Sequence, residues 1–305
     1  MSIFSNDWKV LTETGEIMLE GTYTAIVTPF DRSGKVDLVR FRELIDFQIE
    51  GGVAGIVPVG TTGESPTLNY DEHNRVIEAA VNICKKRIKV IAGTGANSTD
   101  EAIELTRHAK AAGADATLQV TPYYNKPSRE GLIRHFSAVA DLGLPVVLYN
   151  VPGRAGRDIP VDVVAELSKH PHVVSIKEAG GSADRVSQIR SVCDIEILSG
   201  DDALTLPMMA LGGVGVISVA SNIIPAEVSR LVSAALAGRW DEARRIHYQY
   251  YKVFTDLFIE TNPVPVKAAL AMMGRIEEIY RLPLCEMSDA LKARLKQTLT
   301  AAGII

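Results

Sequence analysis

The chain has 305 residues, of which 47% are hydrophobic and 23% are charged, values typical of a globular protein with a large core. Its formal net charge is −5, so we expect neither a nucleic acid nor an anionic membrane as its partner, because both attract a basic face. No apolar run approaches the roughly 18 residues that span a bilayer.

The N-terminus and the cysteines predict a cytoplasmic protein. The opening stretch, MSIFSNDWKVLTETGEIM, has neither a basic start followed by an apolar run nor an Arg-rich amphipathic pattern, so we expect no targeting peptide. Cys84, Cys193 and Cys285 are odd in number and far apart, which fits neither a disulfide framework nor close-spaced zinc ligands. We therefore predict three buried, reduced thiols.

Eight short apolar runs recur along the chain. In order they are TYTAIVTPF, GIVPVG, KVIAGTG, ATLQVTP, PVVLYNV, VVSIKEA, EILSG and GVGVISVAS. Each is a nearly unbroken hydrophobic run rather than an alternating one, which is typical of strands in a parallel sheet whose two faces are both covered.

Amphipathic segments with helix signals separate these runs. One begins at Asp37, another at Ser128, and a third at Ser98, where Glu101 three residues later predicts a capping box. Eight strand–helix units without a linker favour a closed (β/α)8 barrel. An open doubly wound sheet is expected to show a Gly-rich turn after its first strand, where TPFDRSGKVD stands instead.

The last quarter of the chain differs from the rest, because only helical patterns follow Pro225. We predict an α/β protein in three parts. These are an N-terminal extension of unknown role at residues 1–20, a (β/α)8 TIM barrel at residues 21–238, and a C-terminal helical region at residues 239–305.

Polar residues at the carboxyl ends of the predicted strands are the candidates for chemistry, because catalytic groups of a barrel gather there. They are Thr61 and Thr62 after strand two, Tyr123, Tyr124 and Asn125 after strand four, Tyr149 and Arg154 after strand five, and Lys177 at the end of strand six. The set includes neither a metal-binding cluster nor a Ser-His-Asp pattern, and GTTGES lacks the Lys of a phosphate-binding loop.

Lys177 has two structural interpretations and one chemical interpretation. It could pair with Glu178 or extend to solvent. Burial, however, disfavours an ammonium, and a neutral amine attacks a ketone to form a Schiff base. Tyr and Thr hydroxyls can relay the protons of such chemistry, and Arg154 suits a carboxylate. The combination predicts a 2-oxo acid substrate.

Seven motifs carry a resemblance to a known family. They are GTTGESPTLNYDEH, TPYYNKPSREGL, YNVPGRAGRDIP, SIKEAGG, LSGDDA, GGVGVISVASN and NPVPVKAAL. From about Gly21 to its end the sequence resembles the dihydrodipicolinate synthases, within the N-acetylneuraminate lyase superfamily of pyruvate-dependent class I aldolases. The resemblance implies a lyase that condenses pyruvate with L-aspartate 4-semialdehyde in lysine (diaminopimelate) biosynthesis and needs no metal or other cofactor.

The resemblance implies catalytic roles for four residues. Lys177 matches the Schiff-base lysine, Tyr149 matches the tyrosine that shuttles protons, and Thr61 and Tyr124 match its partners in a hydroxyl relay. The second Tyr of the YY pair enters the neighbouring subunit's site in this family. Tyr124 therefore implies at least a dimer, and we expect a tetramer.

The resemblance also implies substrate-binding residues. Thr62 matches a binder of the pyruvate carboxylate, Gly200 and Ile217 match main-chain neighbours of the substrate, and Arg154 matches the arginine that receives the carboxylate of aspartate semialdehyde. Related lyases that act on sialic acid or 2-keto-3-deoxy sugar acids usually lack this Arg. Gly153 and Ala155 depart from the residues common beside it.

A second site is suggested by the same resemblance, since family members inhibited by lysine bind it at the dimer interface. The matching residues are Ser65, His73, Asn97, Glu101 and Tyr123. Tyr70 and Pro66 replace residues common among sensitive members. Feedback inhibition is therefore a hypothesis, and His73 is equally compatible with a solvated surface position.

Two alternative functions stay open. One is a related pyruvate-forming lyase or aldolase that acts on a longer 2-oxo acid, against which Arg154 argues. The other is a non-catalytic barrel that binds oxo acids or lysine, against which the complete set of Lys177, Tyr149, Thr61 and Tyr124 argues.

Overall fold

Eight parallel strands close into a barrel in chain order, which confirms the predicted (β/α)8 architecture. The computed structural model describes residues 19–305, so the predicted N-terminal extension lies outside the described residues except for residues 19 and 20. The strands are β1 Gly21–Thr24, β2 Gly55–Ile56, β3 Lys89–Gly93, β4 Ala116–Val120, β5 Val146–Asn150, β6 Val173–Glu178, β7 Glu196–Ser199 and β8 Gly215–Ser218.

Helices surround the barrel and continue beyond it. They are α1 Leu38–Glu50, α2 Tyr70–Cys84, α3 Thr99–Ala112, α4 Arg129–Ala140, α5 Pro152–Ala155, α6 Val161–Leu167, α7 Asp184–Arg190, α8 Thr205–Ala210, α9 Pro225–Leu236, α10 Trp240–Asp256, α11 Val264–Met272 and α12 Asp289–Ala301. Short 3-10 turns span Ser65–Thr67 and Ala220–Asn222. The chain after Pro225 is helical between its loops, as predicted.

The predicted capping box at the start of α3 is wrong. Ser98 is the N-cap residue, but its side chain accepts no capping hydrogen bond. Glu101 is engaged elsewhere, because its carboxylate accepts a hydrogen bond from the Tyr70 hydroxyl and thereby raises the pKa of Tyr70. A capping box does form at the start of α2, where Asn69 and Glu72 satisfy each other's backbone N–H groups.

The strands divide their side chains between two layers, since successive residues of a strand point to opposite faces. Inward-facing residues such as Tyr23, Val147 and Leu198 fill the barrel, whereas outward-facing residues such as Leu148 and Ile197 pack against the helices. Each fully buried aliphatic side chain contributes about 1.5–3 kcal/mol to folding. The packed barrel therefore holds the carboxyl ends of its strands at one rigid rim.

The cysteine prediction is correct in part. All three cysteines are free, but only Cys84 is buried, while Cys193 is half-buried and Cys285 is exposed. Over residues 19–305 no helix has the length and apolar character to cross a bilayer. Within the same range no group of His, Cys, Asp or Glu side chains is arranged to hold a metal ion.

Candidate active site

Lys177 and Tyr149 lie side by side at the carboxyl ends of β6 and β5, where the strand register pairs them directly. Both are buried, each 6% exposed. The Lys177 Nζ lies 4.3 Å from the centroid of the Tyr149 ring. A phenol held beside an amine supplies a group that exchanges protons with it.

The structure excludes both structural interpretations of Lys177. The neighbouring Glu178 points to the opposite face of the strand, as alternation requires. Its carboxylate accepts hydrogen bonds from Asn150, from the Gly180 N–H and from Arg185. Lys177 therefore does not pair with Glu178, and its burial shows that it does not extend to solvent.

Two lysines are buried within the described chain, and their surroundings differ. Lys267 on α11 is fully buried and its Nζ lies 2.5 Å from Glu64 Oε1. Lys177 forms no ion pair with any described residue. The ion pair with Glu64 occupies the Lys267 ammonium, whereas the Lys177 amine has no such partner in the described part of the chain and is open to a ligand. Lys177 is therefore the buried amine suited to imine formation.

Gly200 provides room for the Lys177 side chain. A Cβ added at Gly200 would lie 3.0 Å from Lys177 Cε and 2.7 Å from the Cβ of Ala179. Its N–H donates to the Glu178 carbonyl at 2.8 Å, which fixes this close approach.

Ile217 on β8 pairs with Tyr23 and is fully buried in the barrel interior.

A cavity of about 220 Å³ opens at this rim. Its lining includes Thr61, Ser65, Tyr123, Tyr149 and Arg154. The volume is below the roughly 300–1,000 Å³ of pockets that hold drug-sized ligands, so the cavity suits a small substrate. Four hydroxyl-bearing residues and one guanidinium thus share a cavity beside the buried amine.

Thr62 carries a hydroxyl whose proton is available to a ligand. The residue is buried, and its Oγ1 accepts a hydrogen bond of 3.0 Å from Asn262 Nδ2. Because the Asn262 amide uses the hydroxyl as an acceptor, the Thr62 hydroxyl can donate elsewhere. A carboxylate, which only accepts hydrogen bonds, is the matching ligand group.

Arg154 lies on the short helix α5 and is exposed. Its Nη2 donates to the Asn262 carbonyl at 3.0 Å, which leaves other donors of the guanidinium free for a ligand. Asn262 therefore touches both Thr62 and Arg154. Asn262 begins the sequence motif NPVPVKAAL, but the motif alone does not indicate this role.

Tyr124 is not brought to the cavity within one chain. It is 92% exposed and has a backbone φ of 71°, which lies in the left-handed region that non-glycine residues rarely adopt. A bulky aromatic side chain held outward at this angle is an unusual surface feature. Tyr123 beside it is 39% exposed and lines the cavity.

The residues of the suggested effector site are partly together. Asn97 donates to the Tyr123 carbonyl at 3.2 Å, and Ser65 lines the same cavity as Tyr123. The solvated interpretation of His73 is wrong, because His73 is buried and its Nε2 lies 2.9 Å from the Gly93 carbonyl. Burial lowers the pKa of His73, so the ring is neutral near pH 7.

A buried carboxylate at the carboxyl end of β8 is not among the residues predicted from the sequence. Asp202, in the LSGDDA motif, binds the Ser218 hydroxyl at 2.5 Å and accepts from the N–H groups of Val219 and Ala220. Burial raises the pKa of Asp202 to about 6, although these hydrogen bonds oppose the shift. Asp202 does not line the cavity. Its hydrogen bonds therefore hold the end of β8 in place and do not contact a ligand.

Comparisons with known proteins agree with one another. The model described as the dihydrodipicolinate synthetase family matches residues 18–302. The 4-hydroxy-tetrahydrodipicolinate synthase of Citrifermentans bemidjiense is 56% identical over 281 residues, which make up 91% of this chain and 97% of that protein.

Solved structures give the same result. The chloride-inhibited dihydrodipicolinate synthase of Acinetobacter baumannii complexed with pyruvate matches with a TM-score of 0.92 at 44% identity, over 94% of this chain and 100% of that chain. The enzyme of the same name from Cyanidioschyzon merolae with lysine bound matches with a TM-score of 0.91 at 40% identity, over 94% and 99% of the two chains.

Proposed function

This chain belongs to the dihydrodipicolinate synthetase family, and we propose that Lys177 carries the Schiff base through which it condenses pyruvate with L-aspartate 4-semialdehyde. The reaction forms a carbon–carbon bond and leads to 4-hydroxy-tetrahydrodipicolinate in lysine biosynthesis. The observation that carries the proposal is the buried amine of Lys177, 4.3 Å from the Tyr149 ring centroid and free of any ion pair among the described residues.

The first stage captures pyruvate. The neutral Lys177 amine attacks the ketone carbon, and loss of water gives an imine. The pyruvate carboxylate accepts a hydrogen bond from the Thr62 hydroxyl, and Gly200 and Ile217 neighbour the bound acid through their main chains. Tyr149 removes and returns the protons of this stage, with Thr61 and the Tyr124 of a second subunit completing a hydroxyl relay.

The second stage joins the two substrates. Loss of a methyl proton from the protonated imine gives an enamine, whose carbon attacks the aldehyde carbon of aspartate semialdehyde. Arg154 holds the carboxylate of that substrate at the cavity mouth. The amino group of the bound product then attacks the imine carbon, which closes the ring and releases the Lys177 amine. No step requires a metal or an organic cofactor.

Tyr124 supports an assembly of at least two subunits. Its 92% exposure and left-handed backbone support a position in the site of a neighbouring subunit, which requires at least a dimer, and a tetramer is the expected state. The three free cysteines support a reducing compartment such as the cytoplasm.

Lysine is the proposed effector. The cluster comprises Ser65, His73, Asn97, Glu101 and Tyr123, and the Cyanidioschyzon merolae enzyme that this chain resembles was solved with lysine bound. Glu101 offers a carboxylate for the effector's ammonium. The two alternative functions, a lyase for longer 2-oxo acids and a non-catalytic barrel, are not favoured by the comparisons.

Borohydride reduction tests the proposed chemistry. Reduction in the presence of pyruvate is expected to fix one adduct per chain at Lys177, identified by peptide mass spectrometry. Lys177→Ala is the matched negative control, since Lys267 stays in place as the second buried lysine. An unmodified chain, or an adduct at Lys267, contradicts the mechanism.

A further inference from the structure

A closed hydrogen-bond network lies directly behind the reactive pair. Asn150 and Glu178 are the last residues of β5 and β6, one position after Tyr149 and Lys177, and the register pairs them as it pairs the reactive residues. Their side chains point out of the barrel, and both are at most 1% exposed. Asn150 Nδ2 lies 2.9 and 3.0 Å from the two Glu178 carboxylate oxygens.

Arg185 on α7 extends the network to the loop that carries Arg154. Its Nε donates to Glu178 Oε2 at 3.2 Å, and its Nη2 donates to the Ile159 carbonyl. The Ile159 N–H in turn donates to Asn150 Oδ1 at 2.9 Å. The loop from 151 to 159 is therefore anchored to the network at both ends, at Asn150 and at Ile159. Arg154 lies between these two anchors.

The network also fixes the turn after Lys177. The Gly180 N–H donates to Glu178 Oε1 at 2.7 Å, and a Cβ at Gly180 would lie 2.7 Å from that same oxygen. Burial raises the pKa of Glu178, whereas Asn150, Arg185 and Gly180 lower it. A buried carboxylate with this many donors is held in one orientation, because losing any donor leaves an unpaired polar group.

We infer that Asn150, Glu178 and Arg185 are positioning residues that set the separation between the Lys177 amine and the Arg154 guanidinium. That separation must match the distance from the aldehyde carbon to the carboxylate of the second substrate. The network therefore determines which aldehyde the site accepts. The inference rests on the proposed function, in which Lys177 carries the enamine and Arg154 holds the aldehyde's carboxylate.

Arg185→Met tests the inference most directly. The variant retains the hydrogen bonds that Glu178 accepts from Asn150 and the Gly180 N–H. It removes the Arg185 donor to Glu178 and releases the Ile159 end of the loop. The KM for aspartate semialdehyde is expected to rise about tenfold, since displacement of a binding group by even 1 Å is costly. The KM for pyruvate and the yield of the borohydride adduct are expected to stay within about twofold.

Arg190→Met is the matched control. Arg190 ends the same helix and also donates to a backbone carbonyl, that of Gly212 at 2.8 Å, but it lies outside the network. This variant is expected to leave both KM values within about twofold of the wild type.

Arg185→Lys is a second variant that tests the inference if Arg185→Met does not fold. It retains a cation beside Glu178, yet an ammonium cannot reproduce the forked donation to Glu178 and Ile159. A selective rise of about threefold in the aldehyde KM is expected. An aldehyde KM within twofold of the wild type, or equal rises for both substrates, overturns the inference. Absence of the adduct in the wild type overturns the proposed function instead.

Discussion

The Lys267 Nζ lies 2.5 Å from Glu64 Oε1, and both side chains are fully buried. The pair joins α11 of the C-terminal helices to the GTTGES loop that carries Thr61 and Thr62. Phe30 packs against the same ammonium, whose Nζ lies 4.3 Å from its ring centroid. Burial lowers the pKa of Lys267, and the Glu64 carboxylate opposes that shift. The helices beyond the barrel thus support part of the active-site rim.

Lys267→Met is expected to destabilise the protein without removing the reactive amine. The change strands the Glu64 carboxylate in the interior, which costs about 3 kcal/mol of unfolding free energy. The double variant with Glu64→Gln is expected to recover more than half of that loss. Urea unfolding at fixed protein concentration measures both. Equal losses in the single and double variants would show that the pair is not coupled.

Tyr149→Phe is expected to lower kcat about 100-fold, because a positioned acid–base group contributes roughly 10²–10⁴. The ring that contacts Lys177 is retained, so the loss isolates the hydroxyl. Tyr23→Phe is the matched control, since Tyr23 is also buried in the barrel and its hydroxyl lacks a hydrogen-bond partner among the described residues. Steady-state kinetics give kcat for both variants. Similar kcat values would exclude a proton-shuttling role for Tyr149.

Arg154→Ala is expected to retain the pyruvate adduct at Lys177 and to lose most turnover with the aldehyde. Loss of a two-pronged carboxylate contact raises the aldehyde KM by about 10- to 100-fold. Arg129→Ala is a suitable control, because Arg129 is exposed and its ion pair with Asp162 lies at the surface. Unchanged turnover in Arg154→Ala would remove the main residue-level support for the substrate assignment.

The fold was predictable because its signals are local and repeated. Each strand is an apolar run and each helix has a recognisable start, so Asp37 caps α1 and Ser128 caps α4 as expected. The predicted capping box at Ser98 was wrong because the outcome depends on a contact between helices that a local sequence pattern does not show. Its partner Glu101 binds Tyr70 on a different helix, a tertiary contact that overrides the local preference.

The candidate site was predictable only where a residue follows its own strand. Lys177 and Tyr149 lie one residue before the ends of adjacent strands, and their contact follows from barrel register. Asn262 and Glu64 are more than 60 residues from Lys177 in the chain. Asn262 reaches the site from the loop before α11, and Glu64 reaches it from a left-handed turn. A Lys within the apolar stretch VPVKAALA was the available signal, since such a residue requires a buried partner.

His135 makes the stability depend on pH. The ring is buried, its Nδ1 lies 3.0 Å from the Thr99 hydroxyl, and burial lowers its pKa from 6.5 to about 4. Because the folded pKa is depressed, the unfolded chain binds more protons, so stability is full above about pH 6.5 and falls as the pH drops towards 4. At about pH 5 the loss amounts to about 2 kcal/mol.

His135→Phe is expected to remove that part of the acid sensitivity. Urea unfolding at about pH 7.5 and pH 5 gives the difference for each protein, and the variant's difference is expected to be smaller by about 2 kcal/mol. At the higher pH the variant loses only the Thr99 hydrogen bond, about 1 kcal/mol. An identical pH dependence in the two proteins would show that His135 does not titrate on unfolding in this range.

Lysine is expected to inhibit the steady-state reaction at millimolar concentration, and Glu101→Gln is expected to weaken that inhibition. The effector's ammonium loses a charged partner, and a hydrogen bond to a charged group is worth about 1.5–3 kcal/mol, or roughly 10- to 100-fold in affinity. Glu104→Gln is the matched control, because Glu104 is exposed one turn further along α3. Inhibition unchanged in Glu101→Gln places the effector elsewhere, and a wild type indifferent to millimolar lysine removes the effector site altogether.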